Sequence, residues 1–394
     1  MKTLTFFSNY FNHHQKALCD AFYSILKEGF VFVETMPMEE FRASMGWGED
    51  TPSYVLRTYE SSGNEERAKQ LALTSDLVIM GTAPEYYIKP RIEKDLIVFR
   101  YSERPLKEGF IKFFIPRLTK KYINLHVSNR KKRVYILAAS AFASWDFKKM
   151  FNSYPDKCYK FAYFPKHLSY DFEELYERKL EKSRDAGATV ILWEGRMIGL
   201  KRADLLIKAA AALYKKGYDL RLRLVGDGDK KESLIKLSEE LGIGSITEFT
   251  GFLSPDEARK RMADAEVYVM TSNRLEGWGS VIYEAENAGC AVIASDACGA
   301  TPWLVKPGRT GLVFRSGNVN SLEEKLEMFL KDKKLRHDLG KNAYEQMRDE
   351  WNPAVAATRT IELFEALEKG ADTPFDEGPL SKADIIRSGW YRDR

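Results

Sequence analysis

Long apolar runs are missing from this 394-residue chain. The longest stretch nearly free of charge, Val134 to Trp145, falls well short of the roughly 20 residues that a membrane-spanning helix needs, so no transmembrane segment is expected. After Met1-Lys2 only a short apolar patch precedes Ser8-Asn9-Tyr10, and a secretory signal is not expected either. Cysteine is scarce. Cys19, Cys158, Cys290 and Cys298 stand far apart, with no close metal-ligand pair and no framework spacing, which points to reduced thiols in a cytosolic setting and argues against a zinc site. One-signed charge is lacking too: 61 basic against 57 acidic residues leave a net +4, too balanced for a general nucleic-acid binder. The dinucleotide fingerprint G-x-G-x-x-G is absent, since Lys231 stands where the third glycine after Gly226 and Gly228 belongs, and this argues against a nicotinamide-dependent oxidoreductase. No internal repeat or low-complexity tract is present.

The chain does contain enough apolar residues, 44%, to bury cores, and it is too long for one ordinary core, so two domains are expected. Short runs rich in Val, Ile and Phe alternate with stretches of helical spacing. In the first half the strand-like runs are Thr3 to Phe7, Phe30 to Glu34, Asp76 to Met80, Leu96 to Tyr101 and Val134 to Ala139, while Glu39 to Glu60 resists reading. Tyr170 to Asp185, dense in charge, reads as a helical connector. A second series follows, with strands at Thr189 to Trp193, Leu220 to Val225, Ile246 to Phe249, Val267 to Thr271 and Ala291 to Ser295, each separated from the next by a helical stretch. Strands alternating with helices imply parallel sheets covered on both faces. The expected division is an N-terminal domain over 1–165, a second over 166–370, and a tail over 371–394. In that tail Ser381 to Trp390 either forms a last short helix packing back on the first domain or hangs loose.

Candidate chemistry sits in loops that follow strands. Leu275 to Gly289, LEGWGSVIYEAENAG, sets Glu276 and Glu284 either side of a glycine-rich turn that opens a helix. Gly277 and Gly279 leave room for a ligand to approach the backbone, and free N–H groups at the helix start favour an anion such as a diphosphate. Glu284, about one turn inside the helix, suits ribose hydroxyls, and Glu276 on the loop suits a sugar beyond the phosphates. Arg196 and Lys201 follow the strand ending at Trp193; together they neutralise a leaving diphosphate or are simply solvated. Asp227 and Asp229 mark either a metal-bridged diphosphate or a plain turn. His13 and His14, in the first strand-to-helix loop, face a phosphate, an acceptor hydroxyl or the transferred sugar, or do no chemistry. Glu103, after Ser102, orients an acceptor or pairs with Arg104.

Between Tyr101 and Tyr135 lie ten Lys/Arg (Arg104, Lys107, Lys112, Arg117, Lys120, Lys121, Arg130, Lys131, Lys132, Arg133) against two acids, interleaved with Phe110, Phe113, Phe114, Ile115 and Tyr122. This composition suits an anionic membrane surface, with a solvated basic helix as the alternative. No nucleic-acid motif accompanies the charge.

The order of motifs from Glu194-Gly195-Arg196 and Lys201 to Ala209, through Leu224 to Gly228 and Phe249-Thr250-Gly251-Phe252, to Glu276-Gly277-Trp278-Gly279, Glu284-Ala285 and Gly289 to Asp296, resembles the second domain of the GT-B retaining glycosyltransferases of family 4, the glycosyl transferases group 1. The resemblance is strong over about Val190 to Leu330. It implies an α/β fold of the GT-B class, two Rossmann-like parallel-sheet domains facing a central cleft, the first binding acceptor and the second a nucleotide-sugar. It also implies Arg196 and Lys201 on the diphosphate, Glu276 on the donor sugar with amides of Gly277, Trp278 and Gly279, Ser280 and Val281 at the helix start, Glu284 on the ribose and Phe252 bordering the base. No metal or other cofactor is implied. The first half departs from the pattern, with Asn9 to His14 where many relatives carry a glycine-rich loop, and Tyr101-Ser102-Glu103 where many carry a histidine.

These readings lead to an expected enzyme: a cytoplasmic, membrane-peripheral, retaining glycosyltransferase that moves a sugar from a nucleoside diphosphate to a hydroxyl of a glycan or lipid-linked glycan, in surface polysaccharide or glycolipid biosynthesis. A nucleotide-sugar epimerase or hydrolase on the same fold is one alternative, and a non-catalytic nucleotide-sugar-binding protein is another.

Overall fold

The computed structural model describes residues 1–39 and 51–392; the side chain of Lys112, one of the cations of the basic segment, lies outside the description. Contacts divide the chain into two units, Met1–Lys166 with Trp351–Ile386, and His167–Glu350 with Arg387–Arg394. Among the described residues no helix is long and apolar enough to cross a membrane.

Among the described residues of the first unit seven parallel strands, β1 (Leu4–Ser8), β2 (Phe30–Glu34), β3 (Val55–Arg57), β4 (Leu77–Met80), β5 (Val98–Ser102), β6 (Val134–Ala138) and β7 (Cys158–Lys160), pair in the order β3-β2-β1-β4-β5-β6-β7. The central strands β1 and β4 are buried along their whole length, as expected of strands covered by helices on both faces. Part of the unread stretch after Glu39, residues 40–50, lies outside the described residues; beyond it the three-residue β3 adds an edge to β2.

The expected boundary at 370 differs from the structure. Helix Pro353–Glu368, opened by a side-chain cap from Asn352 to the Val355 N–H, packs on helix His13–Leu26 of the first unit. Its end is tied there by charge: the chain's N-terminal ammonium meets Glu365 at 2.7 Å, and Arg133 reaches Glu368 at 2.7 Å and the Leu367 carbonyl at 3.1 Å. The tail is extended over the first part of Ser381 to Trp390, with no helix. Leu380 N–H donates to the Lys160 carbonyl (2.7 Å), Lys160 N–H to Ser381 (2.8 Å) and Ala383 N–H to Cys158 (2.9 Å), so the open edge of β7 takes the backbone groups a helix would use internally.

In the second unit six parallel strands, β8 (Thr189–Glu194), β9 (Leu220–Val225), β10 (Thr247–Gly251), β11 (Val267–Met270), β12 (Ala291–Ser295) and β13 (Gly311–Phe314), pair in the order β10-β9-β8-β11-β12-β13. Helix Ala203–Lys215 buries Leu205, Leu206 and Ile207 in a core shared with Leu222, Leu224, Ile293 and Phe329. The supposed connector belongs to this unit as helix Phe172–Ala186, capped by Asp171 and ended by left-handed Gly187. It is anchored by Lys179, wholly buried, whose Nζ donates to the carbonyls of Met262 and Ala265 at 2.7 Å each. The chain runs outward through β8, β9 and β10, then returns to β11 on the other side of β8. This reversal opens a crevice at the carboxyl ends of β8 and β11, where open parallel sheets bind ligands.

Candidate active site

The loops leaving β8, β9 and β10 are stitched together by backbone hydrogen bonds: Gly195 N–H to Val225, Met197 N–H to Asp227, Lys230 N–H to Met197 and Gly226 N–H to Gly251, all between 2.7 and 3.0 Å. Gly226 makes this approach possible. Its φ is +130°, and a Cβ there would stand 2.0 Å from the Gly195 carbonyl oxygen. Of the two readings of Gly226 to Asp229, the geometry favours the turn: the Asp227 carboxylate is taken by Lys231 at 2.9 Å and by the Gly228 N–H. Among the described residues no group of three or more His, Cys, Asp or Glu is placed to hold a metal ion. Arg196 lies exposed on the first of these loops, and Phe252, half exposed, follows β10.

Lys201 and Glu276, far apart in sequence, meet at the crevice. Lys201 Nζ lies 2.5 Å from Glu276 Oε2, and Ser272 Oγ donates to the same oxygen at 3.1 Å. Both side chains are mostly buried, 13% and 16% exposed, so the pair is formed under reduced solvent screening. The backbone beneath it is fixed. Trp193 Nε1 donates to Thr271 Oγ1, which donates to the Lys201 carbonyl at 2.6 Å; Asn273 N–H donates to the Leu200 carbonyl, and the Leu275 and Glu276 N–H groups return to Asn273.

Gly277, Trp278 and Gly279 are buried. The Trp278 indole is turned inward, 5.9 Å from the Trp303 ring centroid, in a residue that is 1% exposed. Its carbonyl accepts from Cys298 Sγ and from the Ala300 N–H, both at 2.9 Å. Ser280 and Val281 are half-buried at the start of the two-turn helix Val281–Asn287, and Glu284 stands in its first turn. Burial raises the Glu284 carboxyl above its ordinary range.

Sequence reasoning took Glu194 as part of a motif and gave it no role. It closes β8, and its carboxyl is raised by burial first and by the nearby Glu284 charge second. The available signal was an acid ending the apolar, buried run Val190 to Trp193. Arg259, on the capping-box helix Pro255–Ala263, was missed as well; its charge opposes the rise of both carboxyls.

The remaining candidates belong to the first unit. His13 and His14 begin helix His13–Leu26, their ring centroids 3.9 Å apart, with Asn12 accepting from the His14 N–H. Burial and the charge of His13 push His14 down to about 3, so it is neutral at physiological pH. Ser102 Oγ donates to the Glu103 carbonyl at 2.8 Å. Glu103 does not pair with its neighbour Arg104: it accepts from Lys107 and from the Tyr163 hydroxyl, each at 3.1 Å. Arg104 turns inward to a bidentate pair with buried Asp146, both bonds 3.1 Å. Both residues lie in the loop just past β5, which sends these neighbouring charges to different partners.

Residues 177–346 match the family model described as glycosyl transferases group 1. Over 179 residues the chain is 30% identical to the lipopolysaccharide core biosynthesis glycosyltransferase LpsE of Rhizobium meliloti, covering 45% of this chain and 50% of that one. Over 182 residues it is 32% identical to the sulfoquinovosyl transferase SQD2 of Arabidopsis thaliana, covering 45% and 34%. The chain therefore spans half or less of the length of these relatives. The crystal structure of Anabaena Alr3699/HepE in complex with UDP is similar over 94% of this chain and 100% of that one, with a TM-score of 0.68 and 18% identity, a likeness of fold. Two Rossmann-like parallel-sheet domains of the GT-B class are the architecture these chains share.

Proposed function

We propose, on the premise that residues 177–346 belong to the glycosyl transferases group 1 family, that this protein transfers a sugar from a nucleoside diphosphate to a hydroxyl of a glycan or lipid-linked glycan, with retention at the anomeric carbon. The observation that carries the reading is the Lys201–Glu276 pair, set at 2.5 Å beside the Gly277 to Gly279 backbone at the carboxyl ends of the strands. Support also comes from relatives that are themselves sugar transferases and from the UDP held by a protein of the same fold.

In this mechanism Arg196 and Lys201 supply the positive charge that a departing diphosphate requires, so no metal is needed for that task. The anomeric carbon loses its bond to the phosphate oxygen as the acceptor oxygen bonds to the same face. The acceptor's proton passes to the leaving phosphate oxygen, and the carbon between them has oxocarbenium character. Glu276 accepts hydrogen bonds from the donor sugar and Glu284 from the ribose; neither acts as a nucleophile. Phe252 borders the base. His13, His14, Ser102 and Glu103 are the proposed acceptor-side contacts.

The proposed working place is the inner face of a membrane, reached through residues 104–133. There Phe110, Ile111, Phe114, Ile115 and Leu118 are exposed together with Arg117, Lys120 and Lys121. Aromatic and aliphatic side chains enter the interface while each nearby cation contributes about 1 kcal/mol against anionic lipid. This suits surface polysaccharide or glycolipid biosynthesis.

The test is product analysis with UDP-, GDP- and ADP-sugars and a panel of glycan and lipid-linked acceptors. A glycoside with the donor's anomeric configuration is expected. Free or epimerised sugar released at full rate without acceptor would instead identify a hydrolase or epimerase, and donor binding without turnover across the panel a non-catalytic binder.

A further inference from the structure

Glu194 is an acidic residue at the carboxyl end of β8 to which the proposed transfer assigns no task. It ends the strand just before the Gly195-Arg196 loop and is half-buried. Its Oε2 is sealed from solvent and has no hydrogen-bond partner. The Tyr268 hydroxyl, from β11, is directed to the Glu194 backbone carbonyl at 3.5 Å rather than to the carboxyl. The charged groups that face it are Glu284 from helix Val281–Asn287, Arg259 from helix Pro255–Ala263, and Lys201 beyond the loop.

A buried acceptor without a donor is unfavourable, and two carboxyls held near each other more so. A ligand that brings two adjacent O–H donors relieves both at once. The ribose of a nucleotide is such a ligand: its vicinal hydroxyls offer two donors at neighbouring positions, matching acceptors on two neighbouring carboxyls.

We propose that Glu194 is a specificity-determining residue of the nucleotide pocket: beside Glu284 it accepts a hydrogen bond from the ribose of the donor, so that the two carboxyls together read the vicinal diol. This inference rests on the nucleotide-sugar reading. Charge sets a condition on it. A diphosphate is anionic, and two full carboxylates beside the ribose would repel it; one proton held on the pair leaves a single negative charge, offset in part by Arg259, which is itself paired with Asp256 at 2.5 Å. Loss of that proton at alkaline pH therefore weakens binding.

The test is calorimetric binding of UDP, GDP and ADP, and of their 2′-deoxy and 3′-deoxy counterparts, to the full chain between about pH 6 and about pH 9. Wild type, Glu194→Gln and Glu194→Ala are compared. Wild type is expected to bind one ribonucleotide about ten-fold more tightly than either deoxy form, and to weaken as pH rises. Glu194→Gln, which keeps an acceptor without the titrating proton, should hold the affinity and flatten the alkaline decline. Glu194→Ala should weaken the ribonucleotide about ten-fold and narrow the discrimination; should it fail to fold, the wild-type and Gln measurements still decide. Equal binding of ribo and deoxy forms by wild type, or an alkaline decline unchanged in Glu194→Gln, would overturn the inference while leaving the donor reading intact. Wild type that binds none of the three ribonucleotides would overturn both.

Discussion

Gly279→Ala is expected to destabilise the Gly277 to Gly279 loop for a reason that a second substitution can expose. Gly279 has φ +93°, and a Cβ there would stand 2.6 Å from Cys298 Sγ and 2.7 Å from Met270 Cε, where contacts of about 3.5–4.0 Å are favourable. Met270 can yield, because Cε is the end of a flexible chain. Cys298 cannot: it is fully buried, and its Sγ donates to the Trp278 carbonyl, in the residue just before the substitution. Left-handed backbone costs roughly 1–2 kcal/mol for a residue with a Cβ, and overpacking roughly 1–3 kcal/mol. The sum, about 2–5 kcal/mol, lowers the melting temperature of a unit of this size by about 4–20 °C, at roughly 2–4 °C per kcal/mol. Cys298→Ala opens the space but does not change φ. Alone it loses one hydrogen bond, about 1 kcal/mol; in combination with Gly279→Ala it should restore most of the overpacking part. Scanning calorimetry on wild type, both single variants and the double variant gives the cycle. A Gly279→Ala protein melting with the wild type, or a double variant no more stable than the two single losses added together, would refute the steric account.

Three further outcomes are expected. Arg196→Ala and Lys201→Ala should each lower kcat by two to three orders of magnitude, corresponding to about 2.7–4 kcal/mol of lost charge stabilisation, and near-normal turnover in both would remove them from the mechanism. Glu286 is fully buried with neither carboxyl oxygen partnered, and burial raises its carboxyl well above the ordinary 4.5. The folded chain thus holds a proton that the unfolded chain gives up, so stability is intact below about pH 4.5 and falls as pH rises toward the folded value, by about 1.4 kcal/mol per pH unit. Glu286→Gln removes that dependence; its melting advantage over wild type should be larger at pH 8 than at pH 5, and an equal difference at both would contradict the assignment. Phe114→Asp combined with Ile115→Asp should abolish the sedimentation with anionic vesicles that is expected of wild type and expected to fall as salt rises; equal wild-type binding to neutral vesicles at high salt would count against the membrane surface.

What could be read beforehand was what local pattern determines. Runs such as Leu77–Met80 and Ala291–Ser295 announce doubly covered strands by composition alone, and the small residues around Gly277 announce the turn that opens helix Val281–Asn287. What could not be read depends on distant partners. Nothing in Pro353–Glu368 states which unit it joins; Met1 and Arg133, more than 200 residues away, decide that. Val55–Arg57 is too short for a period to register, and it is a strand because β2 offers an open edge. Glu103 and Arg104 looked like a pair because they are neighbours, yet Asp146 supplied the buried acceptor and Lys107 the exposed cation.

The same dependence on distance governs the chemistry. Sequence reasoning assigned Lys201 to the phosphates and Glu276 to the sugar as separate tasks, whereas here the two are joined, sharing Oε2 with Ser272. A mostly buried ion pair of this kind contributes little net stability, since the desolvation of both groups offsets their attraction. Its value for the proposed reaction lies in having that desolvation completed before the donor arrives. An entering nucleotide-sugar then exchanges partners: the ammonium turns from a carboxylate to the leaving phosphate, and the carboxylate from the ammonium to sugar hydroxyls. Neither group has to be stripped of bulk water at that moment. The exchange is more favourable for a charged leaving group than for a neutral one, which concentrates the stabilisation of Lys201 where negative charge develops.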